Sequence, residues 1–156
     1  MTPTQMNFFI YGDPKGQPRA RAFARKMGAK HVARMYDSDV ADDWKRAVNV
    51  ALVKAINEHK PEYNKDGAFE VVATFFMRRP KSHFNSGGFV KLGSSVRHAQ
   101  KPDADNMVKL ILDRVTRTKA IWRDDSQVAY MTVAKYWAES EQEIGCNFTL
   151  QLFSKS

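Results

Sequence analysis

The sequence predicts an α/β (α+β) domain: a mixed β-sheet of about four strands with two helices on one face, in the order β-α-β-α-β-β. Three observations carry this. Four short runs, near residues 6–11, 69–78, 128–137 and 144–152, concentrate or alternate apolar residues as strands do. Two longer stretches, about 39–58 and 104–116, repeat apolar residues at helical spacing. No internal repeat or compositional break divides the 156 residues, so 1–156 reads as one domain, long enough to bury a core without disulfides or structural metal.

Each element has a local reason. The first strand, MNFFIY, ends at Gly12-Asp13-Pro14. The next stretch, to residue 37, holds two glycines and a proline and no clean period, so it reads as a loop. Ser38 is a candidate N-cap, with Asp42 and Asp43 in the following turns where the helix dipole favours negative charge. Val40, Trp44, Ala47, Val48, Ala51, Leu52 and Ala55 then form a stripe, and Pro61 stops the helix. Phe69, Val71, Ala73, Phe75 and Met77 alternate along one strand face between Gly67 and Pro80. Residues 81–100 read as a long basic loop, a length that is usually functional or disordered. Met107, Leu110, Ile111 and Val115 give the second helix its buried stripe. In the last strand Cys146, Phe148 and Leu150 alternate with Asn147, Thr149 and Gln151, so one face is wet. The six residues 138–143 allow a hairpin between the last two strands.

Charge is distributed unevenly. The net charge is +8, from 25 basic and 17 acidic residues. Residues 14–36 carry seven basic side chains and no acid, and residues 78–101 carry six and no acid. That leaves 12 of the 25 basic residues among all 17 acids in the rest of the chain. A mildly acidic body with two basic loops, about 12–37 and 79–101, suits a polyanion such as DNA. Candidate phosphate contacts are Lys15, Arg19, Arg21, Arg25, Arg78, Arg79, Lys91, Arg97 and Lys101. The plainer reading is a pair of solvated loops.

Several classes are disfavoured. With one cysteine, Cys146, no intrachain disulfide forms, and a reducing, cytoplasmic setting fits. No apolar run spans a bilayer, and the N-terminus lacks the basic and apolar regions of a signal peptide, so no membrane partner is expected. No phosphate-cradling G-x-x-x-x-G-K-[ST] loop occurs, so no nucleotide cofactor is expected. His31, His59, His83 and His98 lack zinc-ligand spacing.

The chemistry concentrates in KPDADNMVKLILDRVTRTKAIWRDDSQV, residues 101–128. If the backbone stays extended from Lys101 through Asp105, Asp103 and Asp105 project together. Lys109 follows one helical turn after Asp105, on the same face. One carboxylate of the Asp124-Asp125 pair, at the start of the next strand, can return to the same place. Converging carboxylates call for a cation, and oxygen-only donors suit Mg²⁺, which assists phosphodiester hydrolysis. An adjacent lysine can offset charge that develops on the phosphate. Each residue also has a duller role. Asp103 or Asp105 can cap the helix, Lys109 can pair with Asp113, and Asp124-Asp125 can be turn residues. Trp122 reads as a core anchor and Cys146 as buried and inert.

The string PDADNMVKLILD…IWRDDSQV resembles the RusA family of Holliday junction resolvases. The matching positions are Pro102, Asp103, Asp105, Asn106, Lys109, Ile121, Trp122, Asp124, Asp125, Gln127 and Val128, with a looser likeness from Gly12 to Arg19 and at the first helix. The resemblance implies a single RusA-like endonuclease domain in a dimeric, Mg²⁺-dependent enzyme (Mn²⁺ being a possible substitute) of bacterial or phage origin. Its substrate would be the DNA four-way junction, nicked symmetrically. It also implies that Asp103, Asp105 and Asp125 are the metal-binding carboxylates, with Asp124 beside them, and that Lys109 is the catalytic lysine. The basic 81–100 segment is a departure, since smaller members do without it. A symmetric junction nicked twice also argues physically for a homodimer. The competing functions are a non-catalytic DNA-binding protein and a metal nuclease for other branched DNA.

Overall fold

The computed structural model describes residues 4–18 and 30–154. Its elements are β1 (Gln5–Tyr11), α1 (Lys30–His59), β2 (Phe69–Met77), α2 (Ala104–Thr118), β3 (Val128–Trp137) and β4 (Gly145–Leu152). This is the expected β-α-β-α-β-β order. The four strands form one mixed sheet in the spatial order β1-β4-β2-β3. β2 and β3 run parallel, joined through α2, while β4 is antiparallel to both β1 and β2.

One sheet face builds the core. Met6 and Ile10, then Cys146, Phe148 and Leu150, then Phe69, Val71, Ala73 and Phe75 are fully buried on it. α1 adds Trp44, Val48 and Leu52, and α2 adds Met107, Leu110, Ile111 and Val115. The alternation read in β2 and the stripe read in α2 are therefore the core faces of those elements. Trp122 is fully buried, edge-on to Phe69 at 5.2 Å, and its indole N–H donates to Thr116 Oγ1 at 2.7 Å. Truncating an aromatic anchor of this kind typically costs about 3–5 kcal/mol.

Two expectations need correction. The last two strands do not form a hairpin, because β2 lies between them. β4 is apolar enough on one face for a central position, whereas β3 has a largely exposed run from Ala129 to Thr132 and takes the edge. The connecting segment crosses the end of β2, where Ala138 N–H donates to Met77 O at 2.8 Å. β4 then enters tightly against β1. A Cβ on Gly145, whose φ is +148°, would sit 2.1 Å from Ile10 O, so only glycine serves there. The second correction concerns α1, which begins at Lys30 rather than near Asp39, with Ser38 inside it. The loop expected over 12–37 thus shortens. Arg19, Arg21 and Arg25 lie outside the described residues.

Among the described residues, no helix is long and apolar enough to cross a membrane.

Candidate active site

α2 begins directly after Pro102. Asp103 is its N-cap, with extended backbone (φ −68°, ψ 142°), yet its side chain makes no cap hydrogen bond. The carboxylate is exposed and is not consumed by the helix start. Asp105 is already helical, in the first turn. The extended backbone expected through Asp105 therefore stops at Asp103, and strand alternation does not align the two carboxylates.

Lys109 does sit one turn after Asp105 on α2. Its Nζ donates to Asp113 Oδ1 at 2.9 Å and to Asp125 Oδ2 at 2.8 Å. The local pair with Asp113 thus forms together with the long-range pair with Asp125. Asp125 first, then Asp113, hold the ammonium protonated well above its ordinary range. This lysine is a fixed positive charge at any physiological pH and cannot serve as a base.

Asp124 and Asp125 divide their work. Asp124 caps the single 3-10 turn Asp125–Gln127, its carboxylate accepting from Ser126 N–H at 3.1 Å. The Ser126 hydroxyl first, and then this N–H, hold its carboxyl below the usual range. The turn reading is therefore right for Asp124. Asp125, with its side chain 24% exposed, faces α2. The turn is fastened from beneath by Gln127. Its Oε1 accepts from Arg123 N–H at 2.8 Å and Asp124 N–H at 3.2 Å, and its Nε2 donates to Asn64 O and Gly67 O, both at 2.9 Å.

Two more residues position the site. Asn106 clasps the N-terminal basic segment: its Nδ2 donates to Gln17 O at 3.0 Å, and its carbonyl accepts from Gln17 N–H at 3.1 Å. Lys15 is thereby kept near the start of α2. Gly16 permits the approach, since a Cβ there would lie 3.2 Å from Pro102 Cβ. Lys135, opposite Phe75 in the register, turns its Nζ onto Gln100 O and Pro102 O, the latter at 2.7 Å. It pins the chain just before Asp103. Asn106 and Gln127 stood inside the acidic string without an assigned role. Lys135 had no signal beyond a charge in an alternating strand.

The expected phosphate contacts separate into groups. Lys91, Arg97 and Lys101 are exposed and Lys15 is half-buried. Arg78 is partly exposed but pairs with Asp13 at 2.9 Å and with Glu141. Arg79 is inside the protein. Its guanidinium donates to Ala138 O, Ser95 O and Glu139, at 3.1, 3.0 and 2.8 Å, so it secures the β3–β4 crossover instead of facing solvent. Segment 81–100 is a built arm. It turns back at an 84–90 bridge, and Val96 O and His98 N–H bond to the free edge of β3. Trp137 is flanked edge-on by His83 at 4.9 Å and His98 at 4.3 Å. The arm then leads through Lys101 into Asp103.

The donor set is hard oxygen only, which fits Mg²⁺ or Mn²⁺ in kind. In their recorded positions the carboxylates are not drawn together: among the described residues, no three His, Cys, Asp or Glu side chains are gathered closely enough to hold a metal ion. What the fold does is join Asp125 to the helix of Asp103 and Asp105 through Lys109.

Comparison with known proteins gives the family. The family described as "Endodeoxyribonuclease RusA" matches residues 12–145, which takes in the whole site and the arm. The uncharacterized protein YqaN of Bacillus subtilis (strain 168) is 32% identical over 136 residues, covering 86% of this chain and 89% of that protein. With a four-stranded mixed sheet, an acidic turn tied to α2 and a family match over most of its length, the chain belongs to the RusA endodeoxyribonuclease family.

Proposed function

We propose that this protein resolves four-way (Holliday) DNA junctions by Mg²⁺-dependent hydrolysis of paired phosphodiester bonds, in the recombination and repair of DNA in a bacterial or phage setting. The observation that carries the proposal is the Lys109–Asp125 contact at 2.8 Å, which brings an acid from a separate segment onto the helix that begins with Asp103 and Asp105.

Asp103, Asp105 and Asp125 would hold the cation, Mg²⁺ or in its place Mn²⁺. When bound, the ion supplies Lewis-acid stabilisation of charge at the scissile phosphate. Lys109 has a complementary task. An ammonium has three N–H donors, and two are committed to Asp113 and Asp125. The third can address a phosphate oxygen as negative charge grows on it. Gln127, Asn106 and Lys135 position these groups and touch no substrate. Lys15, Lys91, Arg97 and Lys101 are set to contact phosphates, with Arg19, Arg21 and Arg25 continuing the N-terminal basic segment.

The protein would work in the cytoplasm as a homodimer, one site for each of two symmetric nicks. The open sheet face supports this. Phe9 reaches Phe76 at 6.5 Å across Gly145, and Phe76 reaches Tyr136 at 6.1 Å, with Tyr11 exposed beside Phe9. A second copy covering this aromatic row would remove it from water.

Asp105→Asn tests the reading: it should keep junction binding and lose cleavage. Cleavage by this variant at the wild-type rate would remove the metal assignment. Equal wild-type affinity for junction and plain duplex would remove the junction preference, leaving a nuclease for other branched DNA. Binding without cleavage by the wild type in Mg²⁺ would leave a passive DNA-binding protein.

A further inference from the structure

The tip of the 81–100 arm has the wrong surface for an idle loop. Phe89 is 73% exposed and Leu92 is fully exposed. Large apolar side chains in that state normally find a partner or are replaced by polar ones. Lys91 stands between them, Lys81 and Arg97 are exposed on the same arm, and no acid occurs from residue 79 to 102. The complement to that charge is a polyanion.

The tip is also preorganised. Asn85 Oδ1 accepts from Gly87 N–H and Phe89 N–H, both at 3.0 Å. Asn85 N–H donates to Phe89 O at 2.8 Å, and Lys91 N–H to His83 O at 2.8 Å. Gly88 and Gly93, both at φ +82°, allow the reversals, and a Cβ at either would meet nothing within 4 Å. The base is fixed by the Trp137–histidine contacts and by the bonds to β3. A held apolar tip bears little ordering cost on binding. The arm also runs straight into the acidic site, where Lys135 pins Gln100 O and Pro102 O just ahead of Asp103.

We infer that Phe89 and Leu92 form an apolar wedge that enters DNA at an unstacked position, the kind of opening a branch point provides, while Lys91 and Arg97 bind the flanking phosphates. Apolar side chains inserted between base steps are an established means of exploiting distorted DNA. A base stacked on an aromatic ring accounts for about 1–3 kcal/mol, roughly 5- to 150-fold in affinity. This inference deepens the junction reading and rests on it for the choice of DNA.

The test uses the full-length protein in EDTA, so that it does not depend on cleavage. The first measurement is anisotropy binding to a synthetic four-way junction by wild type and by Phe89→Ala/Leu92→Ala, whose unfolding temperatures should match because both side chains are exposed. Affinity for the junction should fall about tenfold or more, and affinity for plain duplex should change little. The second reads the indole emission added by Phe89→Trp, which should be quenched by junction DNA, with 2-aminopurine beside the branch brightening on wild-type binding but not on binding of the double alanine variant. Unchanged junction affinity in the double alanine variant, or unquenched added emission at saturating junction, overturns the wedge. So does a change in that emission with protein concentration alone, which would mean a second copy covers the tip. Loss of Mg²⁺-dependent cleavage in the wild type bears only on the nuclease reading, so the two can fail separately.

Discussion

Gln127→Ala isolates the part of the site that acts without touching substrate. The amide makes four hydrogen bonds, to two backbone N–H groups of the acidic turn and to two carbonyls, Asn64 O and Gly67 O. The residue is 9% exposed, so alanine leaves these groups without their partner in a place water reaches poorly. At about 0.5–1.5 kcal/mol net for each bond, four bonds suggest about 2–6 kcal/mol. The lower end, about 2–3 kcal/mol, is expected because the four bonds are only part-buried and some groups can recover water. Urea denaturation at neutral pH reads this directly. Gln127→Glu should recover part of the loss, since its carboxylate still accepts from Arg123 and Asp124, but it faces two carbonyls with no donor. Where the variants are still folded, cleavage should fall more than junction binding, because Asp125 rides on this turn. A loss under about 0.5 kcal/mol, with cleavage intact, would refute the idea that Gln127 sets the acidic turn.

Two further substitutions separate charge roles. Lys109→Met should lower cleavage by about 10²–10³ while junction binding holds, as for removal of one preorganised donor to developing charge. Because Asp125 and Asp113 raise the ammonium's pKa, the metal-free protein should keep Lys109 protonated at about pH 10, read from its side-chain NMR shift, where an ordinary lysine is already partly titrated. Arg79→Ala and Lys91→Ala should behave oppositely. The first strips donors from Ala138 O and Ser95 O and should cost about 2–3 kcal/mol of stability, with the salt dependence of DNA binding unchanged. The second should leave stability alone and reduce the slope of log K against log salt by about 0.9.

What was legible follows from which interactions are local. Periodicity exposed β2, β4 and α2 because their buried faces, such as Phe69 to Phe75 and Met107 to Val115, are uninterrupted. The first turns of α1 were obscure because KHVARMYDSD mixes charge and apolar residues with no stripe. Strand order was not legible at all: a six-residue connection fits a hairpin as well as a crossover over the end of β2. Only the pairing of β4 with β1 on one side and β2 on the other shows that it belongs in the middle, since Met6 and Ile10 of the edge strand β1 are as deeply buried as Cys146, Phe148 and Leu150. Composition identified the basic segments but could not see that Arg79 meets Ala138, Ser95 and Glu139, or that Arg78 meets Asp13 and Glu141. Likewise Asp124 and Asp125 look equivalent in a string. The hydrogen bond from Ser126 and the reach of Lys109 tell them apart.

Everything proposed for catalysis depends on acids from two segments sharing one cation. The most direct measurement is Mn²⁺ binding, followed by electron paramagnetic resonance, with the protein saturated by a junction that cannot be cleaved. Wild type should bind the ion roughly tenfold or more tightly than Asp125→Asn, with a comparable deficit for Asp105→Asn. Equal Mn²⁺ affinity in wild type and Asp125→Asn would contradict the shared site, however the two proteins cut DNA.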